Sequence, residues 1–188
     1  MHQAKVAVEE LLGHGGVAGA VGLAMGRPVL FRQHRPGQHG RLFTLYKFRT
    51  MVEGAEERQE ELLHLNEMDG PVFKLSKDPR VTRFGRFLRR FSLDELPQLW
   101  NVLRGDMSLV GPRPLLMQYL DRYTPEQARR HEVKPGLTGL WQVTARGDAP
   151  MHEATDIDVD YVENITFVDD AKILLLTPAA VLGSRKGS

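Results

Sequence analysis

Two adjacent acids, Asp94 and Glu95, follow directly on a stretch crowded with arginines: Arg80, Arg83, Arg86, Arg89 and Arg90. At spacings of three and four residues, several of these share one helix face. A cationic face beside a carboxylate pair suits the handling of phosphate. Guanidinium groups hold phosphoryl oxygens, and a carboxylate can bind Mg2+ or attack phosphorus. A helix N-terminus adds free backbone N–H groups for an anion, and a carboxylate held ionised there can act as a nucleophile. Further along, Gly111-Pro112-Arg113-Pro114 sets Arg113 between prolines that fix its backbone. The competing interpretation of the acids is structural. Ser92-Leu93-Asp94-Glu95 has the S-x-x-E form of a capping box, and acids in a first turn favour the helix dipole.

The elements that must position these residues read as α+β with helix dominant. Ala4 to Leu12 suggests a short helix ended by Gly13. Val29–Gln33 and Leu42–Lys47 are expected to be strands joined by an Arg-Pro-Gly-Gln-His-Gly loop. Ala55–Leu65 is charged and amphipathic, a helical pattern, and Pro71–Leu75 suits a short strand. Val81–Phe91 and Leu93–Leu103 are expected as helices parted at Ser92. Pro114–Arg122 and Pro125–His131 read as helices opened by proline. Trp141–Thr144 reads as a short strand, and His152–Glu163 and Phe167–Leu176 as closing helices.

The 188 residues fit one domain, or one with a small appendage. With 26% charged and 41% hydrophobic residues, the chain is neither fibrous nor disordered. The absence of cysteine excludes disulfides, thiolate zinc sites, iron–sulfur clusters and a cysteine nucleophile. A net charge of +1 argues against binding nucleic acid through bulk charge. The charge is uneven, however. Lys74 to Arg90 holds seven basic residues and one acid, whereas Asp148 to Asp170 holds eight acids and no Lys or Arg. The longest apolar run, Val17 to Met25, is nine residues, well short of the ~20 that span a bilayer. Glu9 and Glu10 stand where a signal peptide has its apolar centre.

Several motifs fail. Gly13-His14-Gly15-Gly16-Val17-Ala18 matches a loose dinucleotide pattern, but no acid follows between Gly19 and Val52. It reads as a flexible stretch. Asp156, Asp158 and Asp160 start like a calcium loop, but Tyr161 stands where that loop needs glycine and Phe167 where it needs Glu.

Lys47-Phe-Arg-Thr-Met51, the block from Asp78 to Pro114 and the segment Pro135 to Val143 (PGLTGLWQV) closely resemble the bacterial sugar transferases, the monotopic polyprenyl-phosphate phosphoglycosyl transferases. The resemblance runs from about Pro28 to the C-terminus. Asn66 to Lys74 looks more like the larger members that transfer hexose-1-phosphate. In those members the catalytic domain follows an N-terminal membrane bundle and an extra domain, neither of which is expected in this sequence. The resemblance implies a helix-rich single domain with a small antiparallel β element. It divides the chain into residues 1–27, a degenerate or replaced membrane anchor, and residues 28–188, the catalytic domain.

The chemistry implied by the resemblance is a two-step exchange. Asp94 attacks the β-phosphate of a UDP-sugar, releases UMP and carries the phosphosugar, which polyprenyl (undecaprenyl) phosphate then takes. Glu95 is the implied Mg2+ ligand. Arg89 and Arg113 are implied phosphate holders, supported by Lys47 and Arg49. Pro135, Gly136, Thr138, Gly139 and Gln142 are implied to help form the nucleotide pocket, their glycines admitting a ligand close to the backbone. The plainer alternatives are a solvated strand edge for Lys47 and Arg49, and core packing for Trp141 and Trp100.

Two segments depart from the family pattern. The re-entrant hydrophobic helix with its Ser-Pro break is expected just before Pro28, where this chain has Lys5 to Arg27 with no Ser-Pro. The last helices carry Met151-His-Glu-Ala154 and Phe167-Val-Asp-Asp-Ala171 where large apolar residues are expected. Loss of apolar area and added acids weaken attachment to an anionic bilayer. The implied location is the cytoplasmic face of the bacterial inner membrane, with this chain soluble or weakly peripheral and a homodimer left open. Two rival readings stand beside the transferase: a relative that keeps only the UDP-sugar half-reaction, and a nucleic-acid-binding module built on Lys74–Arg90. The second lacks a fold signature.

Overall fold

The computed structural model describes residues 16–67, 73, 75–145 and 154–183. In chain order it contains α1 (Gly16–Met25), β1 (Leu30–Pro36), β2 (Leu42–Phe48), α2 (Arg58–Glu61), α3 (Arg83–Arg90), α4 (Gln98–Leu103), β3 (Ser108–Val110), α5 (Pro125–Ala128), β4 (Gly136–Thr138), α6 (Leu140–Thr144), α7 (Thr155–Glu163) and α8 (Phe167–Gly183). Short 3-10 segments at Gln38–Gly40, Leu63–Leu65, Leu93–Glu95, Met117–Arg122 and Arg129–His131 connect them. The helix-rich α+β expectation holds, with β1 and β2 as the small two-stranded sheet. The described residues form two compact units, 16–31 with 47–97, and 32–46 with 98–183. The base of the β1–β2 hairpin belongs to the first unit and its tip to the second.

In the first unit, Ala18 and Val21 of α1 are buried, as are Leu30, Phe48, Val81 and Leu88. Residues 16–18, read from the sequence as part of a flexible stretch, open this helix. Met51 and Val81 form an antiparallel bridge that brings the tail of β2 to the start of α3. Thr82 caps α3, its hydroxyl accepting from the Gly85 N–H at 2.8 Å. A Cβ on Gly85 would lie 1.9 Å from the Thr50 carbonyl oxygen, so only glycine permits this approach. The expected Ala55–Leu65 helix breaks into α2 and the Leu63–Leu65 turn. Neither piece buries a residue, and a short helix without a packed face is marginal in water.

In the second unit, Asn101 is fully buried and pins α4 to the hairpin tip. Its amide donates to the Thr44 carbonyl at 2.7 Å and accepts from the Tyr46 N–H at 3.2 Å. Phe43, Leu45 and Met107 pack beside it with Val102. A second cluster joins Val110, Tyr161 and Ile173 with Leu140, Val143 and Val162.

That second cluster accounts for a correction. Trp141–Thr144 is helical, not a strand, because Leu140 and Val143, three apart, must face the same core. The strand lies just before it. β4 pairs in parallel with β3, Ser108 opposite Gly136 and Val110 opposite Thr138. The last helix also runs on past Leu176, through Pro178 to Gly183. Pro178 has no N–H for the Leu174 carbonyl, but Leu174 is 42% exposed and water can replace that bond. α8 buries Ile173 and leaves Phe167, Leu175 and Leu182 largely exposed. No helix among the described residues is long and apolar enough to cross a membrane. The expected Ala4–Leu12 helix and most of the expected Pro71–Leu75 strand lie outside the described residues.

Candidate active site

The dyad sits in a tight turn rather than at the head of a long helix. Leu93–Glu95 is a single 3-10 turn, and α4 begins only at Gln98. Pro97 parts the two, having no N–H to continue the helical ladder. Ser92 is no cap. It adopts a left-handed backbone (φ 52°), and its side chain makes no capping bond, so the capping-box interpretation fails. A left-handed serine costs about 1–3 kcal/mol and persists where its surroundings over-determine it. Here the Ser92 N–H donates to the Arg89 carbonyl at 3.1 Å, and its own carbonyl accepts from Glu95 N–H at 3.2 Å. The reversal turns the chain sharply at the end of α3 and buries Asp94, 8% exposed, while Glu95 stays partly open.

Both acids have a basic residue close by within the first unit. Lys47 Nζ lies 3.2 Å from Glu95 Oε1 and donates to it. Arg89 is electrostatically coupled to Asp94. Burial lowers the Arg89 pKa from its usual value, and the Asp94 and Asp78 carboxylates work against that fall. Its Nε donates to the Thr50 hydroxyl at 2.9 Å. Of the sequence-predicted site residues, the structure thus places Asp94, Glu95, Arg89 and Lys47 together. Arg49 belongs to the same unit, but the bonds it makes are to the end of α1: its Nη2 donates to the carbonyls of Met25 and Gly26.

The remaining arginines of the basic stretch divide by role. Arg80 is buried and spent on structure. It is bonded to Asp78 (2.7 Å for the shorter terminal contact), to the Ala55 carbonyl and to Gln59. Burial pushes the Asp78 carboxyl up, but Arg80's hydrogen bonds and charge outweigh it, and the group titrates below its ordinary range. Arg83, Arg86 and Arg90 lie exposed on α3.

In the second unit, Arg113 lies on a loop anchored by other arginines. Its carbonyl accepts from Arg130 Nη2 at 2.8 Å, and the Pro114 carbonyl accepts from Arg35 Nη1 at 3.4 Å. Pro135, Gly136 and Thr138 spend their backbone groups on β3 and the Gly111 turn. Ser108 N–H donates to Pro135, Gly136 N–H to Pro112 and Gly111 N–H to Thr138. The closeness that the glycines allow is to this backbone. A Cβ on Gly136 would come within 2.2 Å of the Gly111 nitrogen, and one on Gly139 within 2.2 Å of the Gly111 oxygen. The Thr138 hydroxyl pairs with that of Thr177 at 2.8 Å. Gln142 is buried, and neither end of its amide has a partner among the described residues.

His131 lines a small cavity beside Arg113 and Arg130. Burial, then the charge of Arg130, lowers its pKa to about 4 from 6.5. A histidine neutral in the fold but protonated when unfolded stabilises above pH 6.5 and loses that contribution as pH falls toward 4. We therefore expect the urea midpoint to fall between pH 6.5 and 5, with a shallower fall in His131→Gln. An identical slope in the two proteins would exclude a neutral His131.

Residues 13–184 match the bacterial sugar transferase family. The chain is 51% identical over 164 residues to the uncharacterized sugar transferase EpsL of Bacillus subtilis, covering 87% of this chain and 75% of that one. It is 46% identical over 165 residues to the undecaprenyl-phosphate galactose phosphotransferase of Salmonella typhimurium, covering 84% of this chain and 34% of that protein. It is 41% identical over 178 residues to the UDP-glucose:undecaprenyl-phosphate glucose-1-phosphate transferase of Xanthomonas campestris, covering 88% and 34%. The chain belongs to the bacterial sugar transferase family, a family of phosphoglycosyl transferases. It spans about a third of the length of the latter two relatives.

Proposed function

We propose that the protein transfers a sugar-1-phosphate from a UDP-sugar to polyprenyl phosphate through an aspartyl-phosphosugar, releasing UMP. The observation that carries this reading is the dyad turn, where a buried Asp94 is coupled to Arg89 and the adjacent Glu95 is paired with Lys47. In the first step an Asp94 carboxylate oxygen attacks the β-phosphorus. The bond from phosphorus to the bridging diphosphate oxygen breaks, and UMP leaves. In the second, an oxygen of the polyprenyl phosphate attacks the aspartyl phosphorus and the Asp94 carboxylate is restored.

Arg89 holds phosphoryl oxygens beside Asp94, and Arg113 is the second phosphate holder proposed. Lys47 releases Glu95 and turns to the incoming diphosphate. Among the described residues, no group of three or more His, Asp or Glu could enclose a metal ion. Two neighbouring carboxylates nevertheless fit Mg2+, which commonly takes one or two from the protein and the rest of its shell from phosphates and water. Glu95 is the proposed holder, and Mg2+ so bound neutralises diphosphate charge. Gln142 is proposed to bind nucleotide, since its amide carries a donor and an acceptor without partners among the described residues. The exposed apolar residues of α8 support a membrane surface as the place where the lipid acceptor is met.

The test is intact-protein mass spectrometry after incubation with Mg2+ and UDP-glucose or UDP-galactose, with UMP followed in the same tubes. A mass gain of one hexose phosphate, lost again on adding polyprenyl phosphate, is the expected result. Neither adduct nor UMP from a wider panel of UDP-sugars would overturn the reading.

A further inference from the structure

We propose that Thr50 is a positioning residue for the transfer, its hydroxyl fixing the guanidinium of Arg89 within electrostatic reach of Asp94. This rests on the transferase reading of the dyad. Three neighbouring residues at the tail of β2 and just beyond it hold three separate pieces of the first unit. Lys47 reaches Glu95, Arg49 closes the end of α1, and Thr50 meets α3. Thr50 is buried, 6% exposed, and meets α3 through two different groups. Its carbonyl accepts from the Thr82 N–H at 3.1 Å and from the Thr82 hydroxyl at 3.3 Å, and it abuts Gly85. Its hydroxyl accepts from Arg89 Nε at 2.9 Å.

This division of labour separates folding from positioning. The carbonyl docks the helix and survives any side-chain substitution. The hydroxyl makes a separate contact: it accepts from Nε of a partly buried guanidinium and so sets its plane. With Nε engaged, the two terminal nitrogens of Arg89 are the ones that can meet phosphoryl oxygens in the bidentate geometry that makes arginine selective for phosphate. A guanidinium free to rotate about its last bonds would meet the developing charge in the right geometry only part of the time.

The experiment compares the full chain with Thr50→Val, Thr50→Ser, Arg89→Lys and Thr50→Val/Arg89→Lys. Each is followed for steady-state UMP release from UDP-glucose and UDP-galactose with Mg2+ and polyprenyl phosphate, and for its melting temperature. Valine keeps the branched shape and the backbone preference of threonine and puts a methyl in place of the hydroxyl. We expect Thr50→Val to lower kcat/KM by roughly 10- to 100-fold, the range for one hydrogen bond to a charged group. Its melting temperature should fall by only a few degrees, the cost of one partly buried donor left without its acceptor. Thr50→Ser should recover most of the rate. On the Arg89→Lys background, which has no guanidinium to orient, Thr50→Val should cost little more. Should the valine variant fail to fold, Thr50→Ala against Thr50→Ser makes the same comparison. Parental turnover in Thr50→Val, or a full multiplicative loss on the lysine background, would overturn the proposal. A parent that releases no UMP from the wider panel of UDP-sugars overturns the transferase reading and this one with it.

Discussion

Asp94→Asn is expected to abolish the phosphosugar adduct and cut UMP release by at least about 1,000-fold, the scale seen when a covalent nucleophile is removed. The substitution keeps the size of the side chain, so a large rate loss without unfolding assigns Asp94 to the reaction. The surroundings make the prediction sharp. Asp94 is buried in a turn whose preceding residue is held left-handed, and it is coupled to Arg89. An asparagine there retains a hydrogen-bonding oxygen for neighbouring donors but cannot form the acyl phosphate. The melting temperature should therefore move by only a few degrees. Glu95→Gln separates the two acids: it should leave the adduct detectable but raise the Mg2+ concentration needed, because it weakens a ligand rather than removing the attacking atom. Adduct formation by Asp94→Asn at the parental rate would sink the assignment of the nucleophile.

The first half of this site was legible in the sequence because dense charge declares itself. Asp94-Glu95, Arg89 and the Lys47-Phe-Arg-Thr stretch carry their chemistry in residue type, and the structure brings Lys47, Arg89 and both acids into one compact unit. The β1–β2 hairpin was legible for a similar reason, since its strands are interrupted by an obvious turn. What the sequence hid was how each charged residue is employed. Arg80 has the same type and spacing as Arg83 and Arg86, yet it is buried against Asp78 while they are exposed. Beyond Asp78, its partners are the Ala55 carbonyl and Gln59, 25 and 21 residues away, which no local pattern reports. Arg49 looked like a companion to Lys47, but residues two apart leave a strand on the same face only while the strand lasts. β2 ends at Phe48, and Arg49 turns instead to the carbonyls at the end of α1. Thr50 stood within a motif already singled out. The missing signal was a partner 39 residues away.

The second unit was harder to read. β3 and β4 are three residues each and parallel, so neither length nor a hairpin turn marks them. The glycines at 136 and 139 also serve the fold in a way the sequence did not show, since a Cβ on either would meet the Gly111 backbone. Ser92 misled for a different reason. S-x-x-E describes a cap only if the serine is extended, and here the chain reverses at that residue into the left-handed region. The sequence held a genuine capping box elsewhere, at Thr124 and Gln127 opening α5.

Asp158→Ala is expected to cost about 3–5 kcal/mol of stability, the penalty for leaving a buried charge without its partner. Arg130 and Asp158 face each other at 2.5 Å with side chains 1% and 2% exposed, so water cannot take the aspartate's place. Against a typical total of 5–15 kcal/mol, such a loss is a large share. At a few degrees per kcal/mol for a chain of this size, the melting temperature should drop by on the order of 10 °C. The pair also does more than hold α7. Arg130 donates to the Tyr123 hydroxyl at 2.8 Å and to the Arg113 carbonyl at 2.8 Å, so the same guanidinium that meets Asp158 props the loop bearing the proposed phosphate holder. Replacing both partners, as Arg130→Met with Asp158→Leu, should recover much of the stability, because no buried charge is left over. It should not recover UMP release to the same degree, because the bond to the Arg113 carbonyl is gone. A double variant regaining stability and parental turnover together would show that Arg130 serves only the core. Recovery of stability with turnover still depressed would establish that a buried ion pair outside the dyad turn sets the position of Arg113.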